Sequence, residues 1–441
     1  MKLSEQLQQL FRNDADFIIQ PTWLAGIPIQ LAGYKSLIDI PQTLMLLHSQ
    51  AGKISLSNEM FPSLLNGLGY QLTGCDEAVT ELLKGRLIVI YEPAGIIVSA
   101  IPVSKTLTRA IEAPTTENVL RGSISAFQED IDKNIGMLRR HVFSEQLQVK
   151  SYSIGKSQPN RLEVVYLENR INSNLLNKIV QRIETQLDMD IQNLQQLDKM
   201  LGFSKWTLVT KLNTTELPQY AASALQNGKA VLLFERFPFG IILPSLLWDM
   251  FSAHDDLNFP YIYMVLTRFL RIIGALVTIM FPGLYVALVS VNPDVLRIEL
   301  ALSIARSRID VPYPAFVETL LLLLVLELTL EASLRLPKSI GPTITMVGGI
   351  ILGQAVVAAK LVSNLLIIIL AGTTIATSTV VGFQNSLVLR LFKYLILMLS
   401  AIYGVLGLAS GIVVMVAYMA SVTSFGVPYL YMTKAKDKPN G

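Results

Sequence analysis

Two regimes of hydrophobic patterning divide the chain. Up to about residue 245 the apolar residues come in short, interrupted runs, and beyond about residue 271 they come in long ones. In the first regime "IPIQLAGYKSL", from Ile27, predicts a strand, and Ile40 to Leu47 predict the start of a helix. "NRLEVVYLENRI", from Asn160, predicts a further strand. Between Ser173 and Leu187 the apolar Leu176, Ile179, Val180 and Ile183 fall on one face of an amphipathic helix. Polar and apolar residues also mix at roughly helical spacing from Ala126 to Val142. The polar "EAPTTENVLRGS" between these regions contains Pro114 and reads as a linker.

One pattern is written twice. "GRLIVIYEPAGIIVSAIP" starts at Gly85 and "GKAVLLFERFPFGIILP" at Gly228. Each begins Gly-basic, runs through apolar residues to an aromatic–Glu pair, turns, and resumes at Gly-Ile-Ile. Any strand hairpin scores as apolar–turn–apolar, but here the basic residue, the aromatic–Glu pair and the Gly-Ile-Ile recur in order. The expected plan is two small α/β subdomains in tandem, at 1–112 and 126–245, joined by a linker at 113–125.

After Pro244 the aromatic residues Trp248, Phe251, Phe259, Tyr261 and Tyr263 cluster as an interfacial belt does, marking 246–271 as a membrane-interface segment. Apolar segments follow at Ile272–Val291, interrupted by Pro282-Gly283, and at Ala315–Leu334, which carries Glu318, Glu327 and Glu331. Gly341–Ala359 and Leu361–Val381 flank Lys360, and Tyr394–Val422 closes the series. Between the first two, Asn292–Asp310 is charged and amphipathic and predicts a helix lying on a surface. An all-α domain of four or five spans is therefore expected at 272–433, with a polar tail at 434–441. Four spans with one flat or re-entrant segment return the tail lysines to the N-terminal side; five place them opposite.

Composition agrees with that division. The 441 residues are 51% apolar and only 16% charged, against about 25% charged in a typical soluble domain. From Ser339 to Leu389 the one charged residue is Lys360, and from Tyr394 to Thr433 there is none. The opening "MKLSEQLQQLFRNDADF" lacks the apolar core of a signal peptide, so the polar half is expected in the cytoplasm. A net charge of +3 is too small to argue for nucleic acid, and the single Cys75 excludes an internal disulfide or multi-Cys metal site. His254 beside Asp255 and Asp256 reads as a solvated loop sooner than a metal site, and "GKSQPN" at Gly155 lacks the spacing of a phosphate-binding loop. No catalytic residue, cofactor or metal is expected.

"RIELALSIARSRIDVPYPAFVETLLLLLVLELTLEASLRLPKSIGPTITMVGGIILGQAVVAAKLVS" resembles the A subunits of bacterial spore germinant receptors, the GerA family. So do "FPGLYVAL" before it, "TSFGVPYL" after it, and "TTENVLRGSISAFQEDIDKNIGMLRR" in the polar half. The resemblance implies a multi-pass protein of the inner membrane of the endospore, with its N-terminal region on the cytoplasmic (core) side. It also implies self-association into a ring, a pentamer, beside a transporter-like B subunit that senses the nutrient and a lipoprotein C subunit. Opening of that ring would release monovalent cations and trigger germination. Related readings are a spore channel of the same family that amplifies germination without its own sensor, a non-conducting scaffold, and a secondary transporter. No repeat within the membrane half supports the last.

A pore within lipid needs a helix with a small, mildly polar face. Thr345, Gly349 and Gly353 lie four apart, and Val356 and Lys360 continue that face. Plain helix packing through Gly349-X-X-X-Gly353 is the competing reading. Thr373 and Thr377 are the second candidates, unless their hydroxyls bond back to their own helix. Glu318, Glu327 and Glu331 share roughly one helical face. They form either a cation-attracting ring or a belt of ion pairs with Arg297, Arg306 and Arg308.

Overall fold

The computed structural model describes the chain except for residues 1–2, 432–441 and most of 52–66, 104–123 and 337–352. Most of the expected linker and all of the 434–441 tail lie outside the described residues. The chain forms two compact units, one of residues 1–206, 211–245 and 424–427, the other of 207–210, 246–423 and 428–441.

The first unit is α/β. Strands β1 (Phe17–Leu24), β2 (Ile27–Tyr34), β3 (Gly69–Gln71), β4 (Leu87–Tyr91) and β5 (Ile96–Ala100) form a sheet in the order β1-β2-β4-β5-β3. Strands β6 (Leu147–Ile154), β7 (Asn160–Leu167), β8 (Asn213–Thr215), β9 (Ala230–Phe234) and β10 (Gly240–Leu243) form a second, in the order β6-β7-β9-β10-β8. Replacing each strand by the fifth after it converts the first order into the second. The hairpin written twice is β4–β5 and then β9–β10, each antiparallel.

Helices α1 (Leu3–Leu10), α2 (Ile40–Ala51) and α3 (Cys75–Leu83) accompany the first sheet. The second has α4 (Ile131–His141), α5 (Ser173–Glu184), α6 (Leu194–Met200) and α7 (Pro218–Gln226). Soon after α3 and α7 the chain must turn into β4 and β9, and Gly85 and Gly228 do so at φ 79° and 78°. That left-handed requirement explains the glycine that opens both copies of the pattern. β1 carries Pro21, which an edge strand tolerates because one row of its N–H groups is unpaired.

The second sheet is covered on both faces. Leu162, Val164 and Leu232 pack with Ile179 and Ile183 of α5, while Val149, Val165 and Leu233 pack with Ile135 and Leu138 of α4. The buried face of α5 centres on Leu175, Ile179 and Ile183. It is rotated slightly from the predicted one, so Leu176 and Val180 are only half-buried.

The second unit is helical: α8 (Tyr261–Val286, continued by a π turn to Val291), α9 (Ile298–Arg308), α10 (Ala315–Arg335), α11 (Asn364–Thr377) and α12 (Phe383–Ser421). α8 starts at Tyr261, ahead of the expected Ile272, so aromatic residues open it, and Pro282 sits inside it without ending it. α9 buries no side chain. Two helices, Tyr261–Val291 and Gln384–Ser421, are long and apolar enough to cross a membrane.

The second of these is not straight, and the expected Tyr394–Val422 span is corrected accordingly. At Gly404 the backbone leaves the helix with φ 63° and ψ −135°, and the chain folds back on itself. The rings of Phe392 and Tyr418 stand 5.9 Å apart, where a straight helix would separate these positions by about 39 Å. A Cβ on Gly407 would lie 1.9 Å from the Leu399 carbonyl oxygen, so the two arms meet backbone to backbone. Asn292 Oδ1 accepts from the Val405 N–H at 3.0 Å and closes the turn.

Contacts within this unit define two ends. At one, Val381 N–H donates to Met250 carbonyl (2.9 Å), Leu247 N–H to Tyr429 carbonyl (3.0 Å), and Tyr429 N–H to Val422 carbonyl (2.9 Å). At the other, Asn292 meets the tip of the α12 hairpin. α11 runs antiparallel to α8. Ser363 Oγ, just ahead of it, lies 2.9 Å from Tyr285 Oη, and its last residue, Thr377, lies 3.1 Å from Thr278 Oγ1.

Candidate functional site

The small and polar residues of the helical unit split into an inward and an outward set. Thr373 and Thr377 are buried within the protomer. Their hydroxyls donate to the Leu370 and Thr373 carbonyls, and Thr278 Oγ1 of α8 completes the cluster. β-branched hydroxyl residues satisfy themselves in this way when a helix turns them toward a neighbour instead of water. Gly349 and Gly353 differ: no described atom lies within 4 Å of the Cβ position of either. Val356 is half-buried beside Leu361, and Lys360 is exposed, its Nζ 2.7 Å from Asp310 Oδ2. Thr345 lies outside the described residues.

The three acids of α10 meet three different fates. Glu318 is buried, accepts from the Ser363 N–H ahead of α11, and has Arg308 Nη2 at 3.3 Å. Ser363 in turn meets Tyr285, so α8, α9, α10 and α11 converge there. Glu327 pairs with Arg390 (3.2 Å) and Lys393 (3.1 Å) on the first arm of α12, not with the arginines of α9. Glu331 pairs with Arg335 one turn on, in an exposed position. Arg297 and Arg306 are exposed and make no ion pair among the described residues. The result is two separate interhelical couplings at different levels of the unit. A buried carboxylate beside a single cation holds its partner firmly, because lipid or protein offers no substitute.

The α/β unit contains a charge cluster that sequence reasoning missed. Arg139 of α4 is buried, with Nη2 2.6 Å from Asp14 Oδ2 and Nε 2.6 Å from Asp16 Oδ2. Its guanidinium carbon lies 3.9 Å from the centroid of the Tyr34 ring. Asp16 also accepts from the N–H (2.9 Å) and Oγ (2.7 Å) of Ser36. Ala15 N–H donates to the Val149 carbonyl of β6 at 2.8 Å. Asp14, Asp16, Tyr34 and Ser36 all come from the first repeat and Arg139 from the second, so this cluster clamps the two sheets together. Burial pushes the Asp14 carboxyl above the usual range, and Arg139 opposes that shift. The visible signal was the basic pair Arg139-Arg140; nothing local in the sequence pointed to its partners. Among the described residues no group of three or more His, Cys, Asp or Glu is placed to hold a metal ion.

Comparison with known proteins gives the chain a place. The profile of the family described as "Bacillus/Clostridium GerA spore germination protein" matches residues 5–439. Spore germination protein A1 of Bacillus subtilis (strain 168) is 32% identical over 337 residues, 76% of this chain and 68% of that one. Spore germination protein GerLA of Bacillus cereus is 30% identical over 355 residues, covering 80% and 72%. Spore germination protein GerQA of Bacillus cereus is 27% identical over 437 residues, covering 98% and 87%. Among solved structures, the N-terminal domain of the A subunit of the Bacillus megaterium spore germinant receptor GerK3 aligns with 56% of this chain and 96% of its own, at 19% identity and a TM-score of 0.42.

Proposed function

The chain belongs to the GerA family of spore germination proteins, and from that premise we propose that it is the A subunit of a nutrient-germinant receptor. In this reading it assembles as a ring, of five copies on the family's pattern, in the inner membrane of the endospore. The N-terminal unit faces the core. A transporter-like B subunit and a lipoprotein C subunit complete the receptor, and opening of the ring releases monovalent cations.

The observation that carries the conducting role is the contrast between satisfied and open faces. Thr377, Glu318 and Glu327 are engaged between elements of one protomer and the Thr373 hydroxyl within its own helix, whereas no described atom lies within 4 Å of the Cβ position of Gly349 or Gly353. A small-residue face left open in a membrane helix suits a neighbouring subunit or an aqueous path. Lys360 and its partner Asp310 stand exposed at the end of the same segment.

Two helices, Tyr261–Val291 and Gln384–Ser421, are long and apolar enough to cross a membrane, and the second folds back at Gly404. The Tyr429 carbonyl accepts from the Leu247 N–H, so residues 247 and 429 lie at one end of the helical unit.

The test is ion release from spores. Spores lacking this chain should fail to release potassium in response to one nutrient, and the wild-type chain should restore release. Normal release to every nutrient from the deleted spores would overturn the reading.

A further inference from the structure

The α/β unit has a cavity at the junction of its two sheets that the clamp does not fill. Its volume is about 390 Å³, within the range of small-molecule sites. Asp16 and Lys35 line it from the first repeat, and Asp132, Ser151, Arg161 and Glu163 from the second.

Most of these groups are already engaged. Arg161 bridges Asp132 Oδ1 and Glu163 Oε1, at 2.9 Å each. Ser151 Oγ donates to the same Glu163 oxygen at 2.8 Å. Lys35 Nζ donates to the Ala15 carbonyl at 3.2 Å, and Asp16 is held by Arg139 and Ser36. Glu163 Oε2 alone stands out: the residue is 1% exposed, and this oxygen has no hydrogen-bond partner.

The position is unusual for its strand. β7 alternates, with Leu162 and Val164 on the α5 face and Glu163 and Val165 on the α4 face. Packing alone would be served by a residue like Val165. A carboxylate oxygen buried without a donor is costly, and burial pushes the Glu163 carboxyl up, against Ser151 and Arg161. Around the cavity and the clamp behind it, the four carboxylates of Asp14, Asp16, Asp132 and Glu163 face three cations, Lys35, Arg139 and Arg161. One positive charge with hydrogen-bond donors would balance the set and satisfy the open oxygen.

We propose that this cavity binds a small organic cation bearing N–H donors, a primary ammonium, with Glu163 Oε2 as its anchoring acceptor. The site stands apart from ion conduction and does not depend on it. Its walls come from both repeats, so occupancy bears directly on the junction that Arg139 clamps.

Isothermal titration calorimetry on the full chain, purified in detergent at neutral pH, tests this with two monocations, n-propylammonium and tetramethylammonium, as probes. Propylammonium should bind at one site. Tetramethylammonium, of the same charge but without N–H donors, should bind at least about tenfold more weakly, as expected for loss of a charged hydrogen bond. Glu163→Gln should weaken propylammonium by a similar factor with an unchanged circular dichroism spectrum. The proposal is overturned by absence of propylammonium binding, by equal affinity for the two cations, or by unchanged affinity in Glu163→Gln. Should that variant fail to fold, the comparison of the two cations on the wild-type chain decides.

Discussion

In the α/β unit the charges that cross between the two sheets are consumed by one another: Arg139 is spent on Asp14, Asp16 and Tyr34, all buried. In the helical unit charges are likewise paired between helices, yet one stretch of backbone, at Gly349 and Gly353, faces no described atom. Gly407 and Gly411 have the same spacing and are tightly occupied, against Leu399 and Ile396. The difference teaches that spacing alone does not say what a glycine pair is for. Where the protomer supplies its own partner, the pair is a fold determinant; where it does not, the pair is available to a neighbour.

The largest expected effect breaks the closed side of the comparison. Arg139→Met leaves Asp14 and Asp16 buried without a countercharge and should cost about 3–5 kcal/mol. Thermal denaturation followed by circular dichroism should show the loss. Combining it with Asp14→Asn and Asp16→Asn should recover much of it, since the penalty comes from uncompensated charge. No recovery would mean that Arg139 acts through packing on Tyr34 alone.

A smaller effect separates the two glycine pairs. Gly407→Ala places a methyl into the Leu399 carbonyl and should destabilise the helical unit by about 1–3 kcal/mol. Gly349→Ala meets no described atom within 4 Å and should leave stability unchanged or raise it by up to about 1 kcal/mol. Equal losses from the two substitutions, measured as melting temperatures in detergent, would erase the distinction.

Much of the fold was legible because the relevant signals are local. The repeated hairpin carried its own punctuation in Gly85 and Gly228, and the strand order extends that repeat to all ten strands of the two sheets. β1 and β6 were missed, the first because Pro21 argues against a strand, the second because "LQVKSYSI" alternates with polar residues. Gly404 looks like any glycine in an apolar helix. Only the distant Asn292, which caps the turn, marks it as a fold-back point.

The candidate site was less legible for the same reason. Polar positions at 373 and 377 were visible, but their inward direction is set by Thr278, about a hundred residues earlier. Glu327 was expected to seek the nearby arginines of α9, and its partners came from α12. The clamp joins residues separated by 123 and 125 positions, a pairing that no local pattern encodes.

The most direct measurement for the central claim, that the open Gly349–Gly353 face borders an ion path, is potassium efflux from liposomes containing the purified protein. Wild type should release potassium, and Gly349→Trp, equally folded and equally oligomeric, should not. Equal release from the two would contradict the account.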